Sequence, residues 1–239
     1  MRRLPTRGNL PVNTSRRLQE KTLEITGHGQ PAERAAVVYM SSRGTQWFSH
    51  VLVALRALAG IGERCMWCSG SESCQVEHFR PKELFPHLSM SWDNFLWSCG
   101  LCNNHKGVKF PLLSNGLGII NPLEENVWDY FFIDQFGNLT EKWRVDLNDV
   151  DPRAKLTVEV LCLDRDALQQ TRQARLRNLR ELSTMALESL RTGARSREEV
   201  RASLDEWRSA PLQPDVADYF LDGPGNQEEP FRALLAEIA

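Results

Sequence analysis

Apolar positions along this chain follow a helical period over two long stretches and lose it between them. From about residue 31 to 60, Trp47, Phe48, Val51, Leu52, Leu55, Leu58 and Ala59 fall on one stripe, and Gly60 is placed to stop the helix. His50 points away from that stripe and reads as a solvated residue. From about 153 onward the period returns. Leu176, Leu179, Leu182, Ala186 and Leu190 share a face, with Asp164 placed as an N-cap. Ser196-x-x-Glu199 has the form of a capping box opening a last amphipathic helix with Val200, Leu204 and Trp207. Cys162, among Val160, Leu161 and Leu163, reads as core. Arg172 falls on the leucine side, where a charge snorkels, pairs, or faces another module or a partner.

The remaining segments differ. Residues 1–30 are polar and rich in Arg, Gly, Pro and Thr, which predicts an extended arm. Across residues 63–112 Cys, Trp, His and basic residues crowd together without periodicity, the composition of a small unit that needs a staple. Residues 130–134 and 139–143 alternate around Gly137-Asn138 and predict a hairpin. After Pro211 the chain is rich in Asp, Glu, Pro and Gly, with a short apolar end. The pattern therefore predicts a mainly α protein with a small α+β insert. It divides into 1–62 (arm and helices), 63–112 (the insert) and 113–239 (hairpin and helical region).

Composition narrows the class. The 239 residues suffice for a real core, and 41% apolar with 25% charged is ordinary for a globular protein. The net charge of −2 means that a polyanion would be met by a local basic patch or with a partner's help. No apolar run reaches the roughly eighteen residues of a membrane span. Met1-Arg2-Arg3 leads into a polar stretch, and the expectation is a cytoplasmic protein that does not engage membranes.

Four of the six cysteines form two C-x-x-C pairs, Cys65/Cys68 and Cys99/Cys102, with thirty residues between them. Each pair makes a knuckle whose thiolates face one ion, and two knuckles complete a closed tetrahedral site, hence structural zinc. The alternatives are a redox-active pair, or four cysteines that never meet. Cys74 has no partner and is assigned no role.

Between the knuckles lies Glu77-His78-Phe79-Arg80-Pro81-Lys82, then Trp92-Asp93-Asn94, then Cys102-Asn103-Asn104-His105-Lys106-Gly107. This segment resembles the HNH endonuclease family, whose ββα-metal motif carries acid-His on one strand, Asn in the connecting loop, and Asn or His on the following helix. More narrowly, it is similar to the nuclease subunit of the two-component Septu anti-phage systems and of related retron-linked effectors. The specific motif covers about 50 residues. A weaker likeness, including Ile120-Asn121-Pro122, extends to about residue 175.

Phosphodiester hydrolysis needs a water deprotonated near phosphorus, a cation on the non-bridging oxygens, and help for the leaving oxygen. A neutral imidazole suits the first task, which makes His78 the general base. The resemblance implies Glu77 and Asn103 as ligands of a catalytic Mg²⁺ or Mn²⁺, oxygen donors as such an ion prefers. Glu is one methylene longer than the usual Asp, so ligation is direct or through a water. The resemblance makes Asn94 the central Asn, which pins the His loop to the helix. Arg80, Lys82, Lys106 and Lys109 are placed to contact phosphates. His105 is a second ligand or, preferred, a solvated helix residue. His87 reads as structural, and Trp92 and Trp97 as packing residues.

The expected function is metal-dependent cleavage of DNA, favoured over RNA. The resemblance implies an ABC-type ATPase partner and a role in anti-phage defence, with the arm and the C-terminal helices as candidate docking surfaces. The alternatives are a free-standing restriction-type nuclease, a nuclease of structured RNA, and a zinc-ribbon adaptor that binds nucleic acid or protein without cutting.

Overall fold

The computed structural model describes residues 1–70, 74–209 and 214–239; Pro211, the expected start of the tail, lies outside the described residues. Among the described residues the chain is mainly helical, with three two-stranded antiparallel sheets. No helix among the described residues is long and apolar enough to cross a membrane.

The first 62 residues hold three helices, the first of them within the stretch expected to be an extended arm. Residues 12–26 form α1 (Val12–Thr26), which buries Thr14, Leu18 and Ile25. Its sequence is largely polar yet amphipathic, with Leu18 and Ile25 a full heptad apart on the face that packs inward. The next helices are α2 (Pro31–Ser42) and α3 (Gln46–Ala59). Pro31 sits at the first turn of α2, where its missing N–H costs nothing. Gly60 ends α3 at φ 72°, a conformation that glycine adopts without strain. His50 is exposed, as expected, and its Nδ1 lies 2.9 Å from Thr14 Oγ1, which links α3 to α1. The leading residues also dock. Arg7 donates to the carbonyls of Asp93 (3.1 Å) and Phe95 (2.5 Å) and lies over the Trp92 ring.

The insert is built in the order strand, strand, helix. β1 (Gln75–His78) pairs antiparallel with β2 (Phe95–Ser98), His78 opposite Phe95 and Glu77 opposite Leu96. α4 (Gly100–Lys106) follows at once, with Cys99 as its N-cap. Trp97 is buried and donates from Nε1 to the Glu63 carbonyl, a packing role as its sequence context predicts.

Beyond the insert, the expected hairpin is present as β3 (Phe131–Ile133) and β4 (Leu139–Glu141). Gly137 in its turn has φ 93°, and a Cβ there would stand 2.8 Å from the Gln173 backbone, so only glycine lets the turn press on the following helix. A short ribbon, β5 (Trp143–Arg144) with β6 (Asp149–Val150), leads into α5 (Pro152–Leu161). Asp151, not Asp164, supplies the side-chain cap, accepting from the amides of Arg153 and Ala154. The helix breaks at Cys162, and α6 (Asp166–Arg191) starts after Arg165 with no side-chain cap. The capping box is as expected: Glu199 N donates to Ser196 Oγ and Ser196 N to Glu199 Oε2, opening α7 (Arg197–Ser209).

Arg172 pairs: its Nε donates at 2.8 Å to Asp215 in α8 (Pro214–Ala217), and both side chains are fully buried. The last segment folds onto α6 through Val216, Phe220 and α9 (Phe231–Ile238), which buries Phe231 and Leu234. The apolar faces of α7 and α9 are thus used inside the chain, and any docking there falls to their polar faces.

Candidate active site and sulfur cluster

Cys65, Cys68, Cys99 and Cys102 are all buried, and their sulfurs lie within 4.8 Å of one another. Cys68 Sγ and Cys99 Sγ are 3.7 Å apart. Four thiolates at tetrahedral Zn–S distances of about 2.3 Å stand roughly 3.8 Å from each other, so the donor set fits zinc in spacing and chemistry. Two backbone amides already donate to sulfur, Gly70 N to Cys68 and Cys102 N to Cys99. Hydrogen bonding from Cys102 pulls the Cys99 thiol down to about 7, whereas burial pushes Cys65 up. Four buried cysteines converge on one point that could hold a zinc ion. Cys74 stands outside this group, half-buried, its thiol pushed up to about 12 by burial.

The knuckles fix both ends of the motif between them. Cys99 and Cys102 open α4, and the Met66 amide donates to the Trp97 carbonyl at 2.8 Å, seating the first knuckle on β2. Glu77 and His78 end β1, and Asn103 lies one turn into α4. A shallow cleft of about 170 Å³ is lined by Glu77, His78, Asn103, Lys82, Glu83 and the Gly107 turn.

His78 is buried between the edges of Tyr39 (ring centroids 4.7 Å apart) and Phe95 (5.4 Å). Its Nε2 lies 2.9 Å from the Ser89 carbonyl oxygen. A carbonyl only accepts, so Nε2 carries the proton of the neutral ring and Nδ1 carries the lone pair. Nδ1 has no partner among the described residues. Burial pushes the His78 pKa down to about 4, so the ring is neutral near pH 7.

Asn94 is buried and bonds only to backbone. Its Oδ1 accepts from Arg80 N (2.8 Å), and its Nδ2 donates to the carbonyls of Arg80 and Leu88 (both 3.0 Å). Its own carbonyl accepts from Phe79 N at 2.8 Å. These bonds clamp the residues that follow His78 to the segment preceding β2.

The four basic residues fall in different places. Lys82 lines the cleft and pairs with Glu83 at 2.8 Å. Arg80 and Lys109 are exposed, and the Arg80 guanidinium rests on Phe85 and Phe110. Lys106 is fully buried. Its Nζ donates to Glu77 Oε1 and to the His78 carbonyl, each at 2.7 Å, so it does not stand on the open face. Burial pushes the Glu77 carboxyl up, against the pull of Lys106.

His105 and Cys162 depart from expectation together: His105 Nδ1 lies 3.4 Å from Cys162 Sγ, away from the cleft. Cys162 is half-buried and caps α5 in the left-handed region rather than filling the core. His87 is exposed, in a short helical turn.

No family model matches the chain. Over 117 residues it is 32% identical to the Septu protein PtuB of Bacillus thuringiensis, a stretch that makes up 47% of this chain and 41% of that protein. The chain thus spans less than half the length of the curated relative it matches. The resemblance drawn from the cysteine pairs and the residues between them is therefore matched by measured similarity to a Septu protein, and the four cysteines it rests on do meet.

Proposed function

We propose that this chain is a metal-dependent HNH endonuclease, the nuclease subunit of a Septu-type anti-phage system. The observation that carries the reading is the His78–Ser89 hydrogen bond. It fixes the tautomer in which Nδ1 is the free base, on the wall of a cleft that Glu77 and Asn103 also line.

In this reading His78 Nδ1 takes a proton from the attacking water. Asn94 holds the backbone behind His78 so that the ring keeps its place. Glu77 and Asn103 would hold a Mg²⁺ or Mn²⁺ ion; their oxygens and the open side of the cleft fit a hard cation that keeps several water or phosphate ligands. When bound, that ion neutralises charge on the phosphate and its leaving oxygen. Lys82, Lys109 and Arg80 flank the cleft and meet neighbouring phosphates. A phosphate's negative charge beside His78 raises the basicity that burial lowers. The four cysteines hold zinc, which ties β1, β2 and α4 into one unit.

The relative's name places it in a Septu system, and the reading extends to an ABC-type ATPase partner and a DNA target. The net charge of −2 supports a partner that supplies affinity for nucleic acid. The test is cleavage of DNA and of RNA with Mg²⁺ by the protein co-expressed with the ATPase of its own operon. Cleavage that needs the partner and is lost in His78→Ala is expected. Equal cleavage by the isolated chain would favour a free-standing nuclease, and no cleavage of either polymer would favour an adaptor.

A further inference from the structure

The two oxygens of the Glu77 carboxylate have different surroundings. Oε1 receives Lys106 Nζ at 2.7 Å, and the same ammonium binds the His78 carbonyl. The Lys106 side chain is 0% exposed and that of Glu77 8%, so this is a desolvated pair rather than a screened surface contact. Oε2 has no hydrogen-bond partner among the described residues, yet it is not one of the buried polar atoms sealed off without a partner. It is the oxygen left for the cleft.

The pair is held from both sides. Lys106 ends α4, whose first turn carries Cys99 and Cys102, and Gly107 turns the chain away at φ 48°. Glu77 sits in the β1–β2 ladder opposite Leu96. Both backbones are thus anchored in regular structure.

The charges around the cleft cancel. Glu77 is offset by Lys106 and Lys82 by Glu83, while Asn103 and the neutral His78 add none. Affinity for a divalent cation rises with the charge and number of its oxygen ligands. Here one carboxylate oxygen and one amide oxygen are on offer, with an ammonium on the other oxygen of the same carboxylate. A cation entering the cleft is repelled by Lys106 at short range in a poorly screened site.

We propose that Lys106 is a built-in counter-ion that keeps the Glu77 site weak for divalent metal until a nucleic-acid phosphate enters the cleft. The inference rests on the nuclease reading above, in which Glu77 is a metal ligand. The phosphate offsets the lysine charge and adds a hard oxygen ligand, so metal and nucleic acid each strengthen the other's binding. The site then fills with metal on its substrate and stays empty otherwise.

The experiment measures Mn²⁺ binding by electron paramagnetic resonance on the full chain, without reference to cleavage. The parent carries His78→Ala so that added nucleic acid stays intact, and folding is checked by thermal melting. Without nucleic acid, Lys106→Met should bind Mn²⁺ at least about tenfold tighter than the parent. Lys106→Arg, which keeps the charge, should stay weak, and adding Glu77→Gln to Lys106→Met should remove the gained site. In the parent, a DNA or RNA oligonucleotide should raise Mn²⁺ affinity by at least about tenfold. A folded Lys106→Met that binds no tighter than the parent overturns the proposal. If that variant does not fold, absence of coupling with both DNA and RNA in the parent overturns it. A folded Glu77→Gln that binds Mn²⁺ as the parent does, with nucleic acid present, instead overturns Glu77 as a ligand and the nuclease reading beneath it.

Discussion

The Asn94 side chain grips the Arg80 backbone on both sides, accepting from its amide at 2.8 Å and donating to its carbonyl at 3.0 Å. With a third bond to the Leu88 carbonyl, one amide group joins the chain after His78 to the segment that contains Ser89, the partner of His78 Nε2. Asn94→Ala leaves these backbone groups without partners and should cost about 2–3 kcal/mol of stability. It should also lower cleavage, and excess Mn²⁺ should not restore it. Asn103→Ala, lacking a proposed ligand instead, should be partly rescued by the same titration. Identical titration curves for the two variants would contradict the division of roles.

His78→Ala should lower the cleavage rate by about a hundredfold to ten-thousandfold, the usual worth of an acid–base residue. The Ser89 carbonyl loses its donor, but the zinc content and the circular dichroism spectrum should be unchanged. A purified variant that cuts at the parental rate would remove His78 from the mechanism.

The burial of His78 also predicts how stability responds to acid. The folded-state pKa is about 4, below the ordinary value of about 6.5. Between these values the unfolded chain binds more protons than the folded one, so stability rises with pH across the window and falls on acidification. The contribution is fully present above about pH 6.5 and shrinks by roughly 3 kcal/mol by pH 4. Urea unfolding in the absence of divalent cations should show that loss in the parent. His78→Gln should lack it, and parallel pH profiles for the two proteins would refute the assignment.

Elemental analysis should find about one zinc per chain. Cys99→Ser should lose the ion and unfold at lower temperature, because Cys99 both faces the other sulfurs and caps α4. Since structural zinc contributes folding energy, a strong chelator should lower the melting temperature of the parent and leave that of Cys99→Ser unmoved. A protein that melts identically with and without chelator would show the sulfurs to be plain core.

What was legible in the sequence is what local spacing encodes. Two C-x-x-C pairs, the Glu77-His78 step, Asn94 and the Asn103 turn lie within about 40 residues, and the family resemblance they carry implies the strand–strand–helix order that the structure has. The capping box at Ser196 and the hairpin at Gly137 are equally local. Other local signals are weaker: Asp151-Pro152 opens α5, with proline pre-set for the first turn, whereas Asp164 stands one residue ahead of the α6 N-cap position and caps nothing. α1 lies in a stretch whose polar composition reads as an arm, although its apolar residues fall on one helical face. Lys106 was the least legible residue. A lysine three positions after Asn103 looks like a phosphate contact, and nothing local says that β1 will bury it; lysines are almost never buried unless paired. The His105–Cys162 contact joins residues 57 apart and could not be read from either neighbourhood.

The same limit applies to Arg172 and Asp215, 43 residues apart, and their pairing carries the last prediction. Arg172 donates from Nε to Asp215 at 2.8 Å and from its terminal nitrogen to the Leu163 carbonyl at 3.2 Å, all inside the helical core. Removing one member of a buried ion pair strands the other charge in a low-dielectric interior, at a cost of about 3–5 kcal/mol. Asp215→Ala should therefore destabilise the chain strongly. Replacing both members with apolar residues of similar volume, Arg172→Met with Asp215→Leu, removes their own desolvation penalty. It still strands the buried Met1 ammonium, which pairs with Asp215 at 3.3 Å, so it should recover only part of the loss. Because the pair lies away from the cleft, the double variant should cleave nucleic acid, with the proposed partner present, at the parental rate. Denaturant unfolding of the three proteins measures the first effect and a cleavage time course the second. A double variant as unstable as Asp215→Ala would show that the pair supplies net stability, and a stable but inactive one would tie the helical core to the cleft.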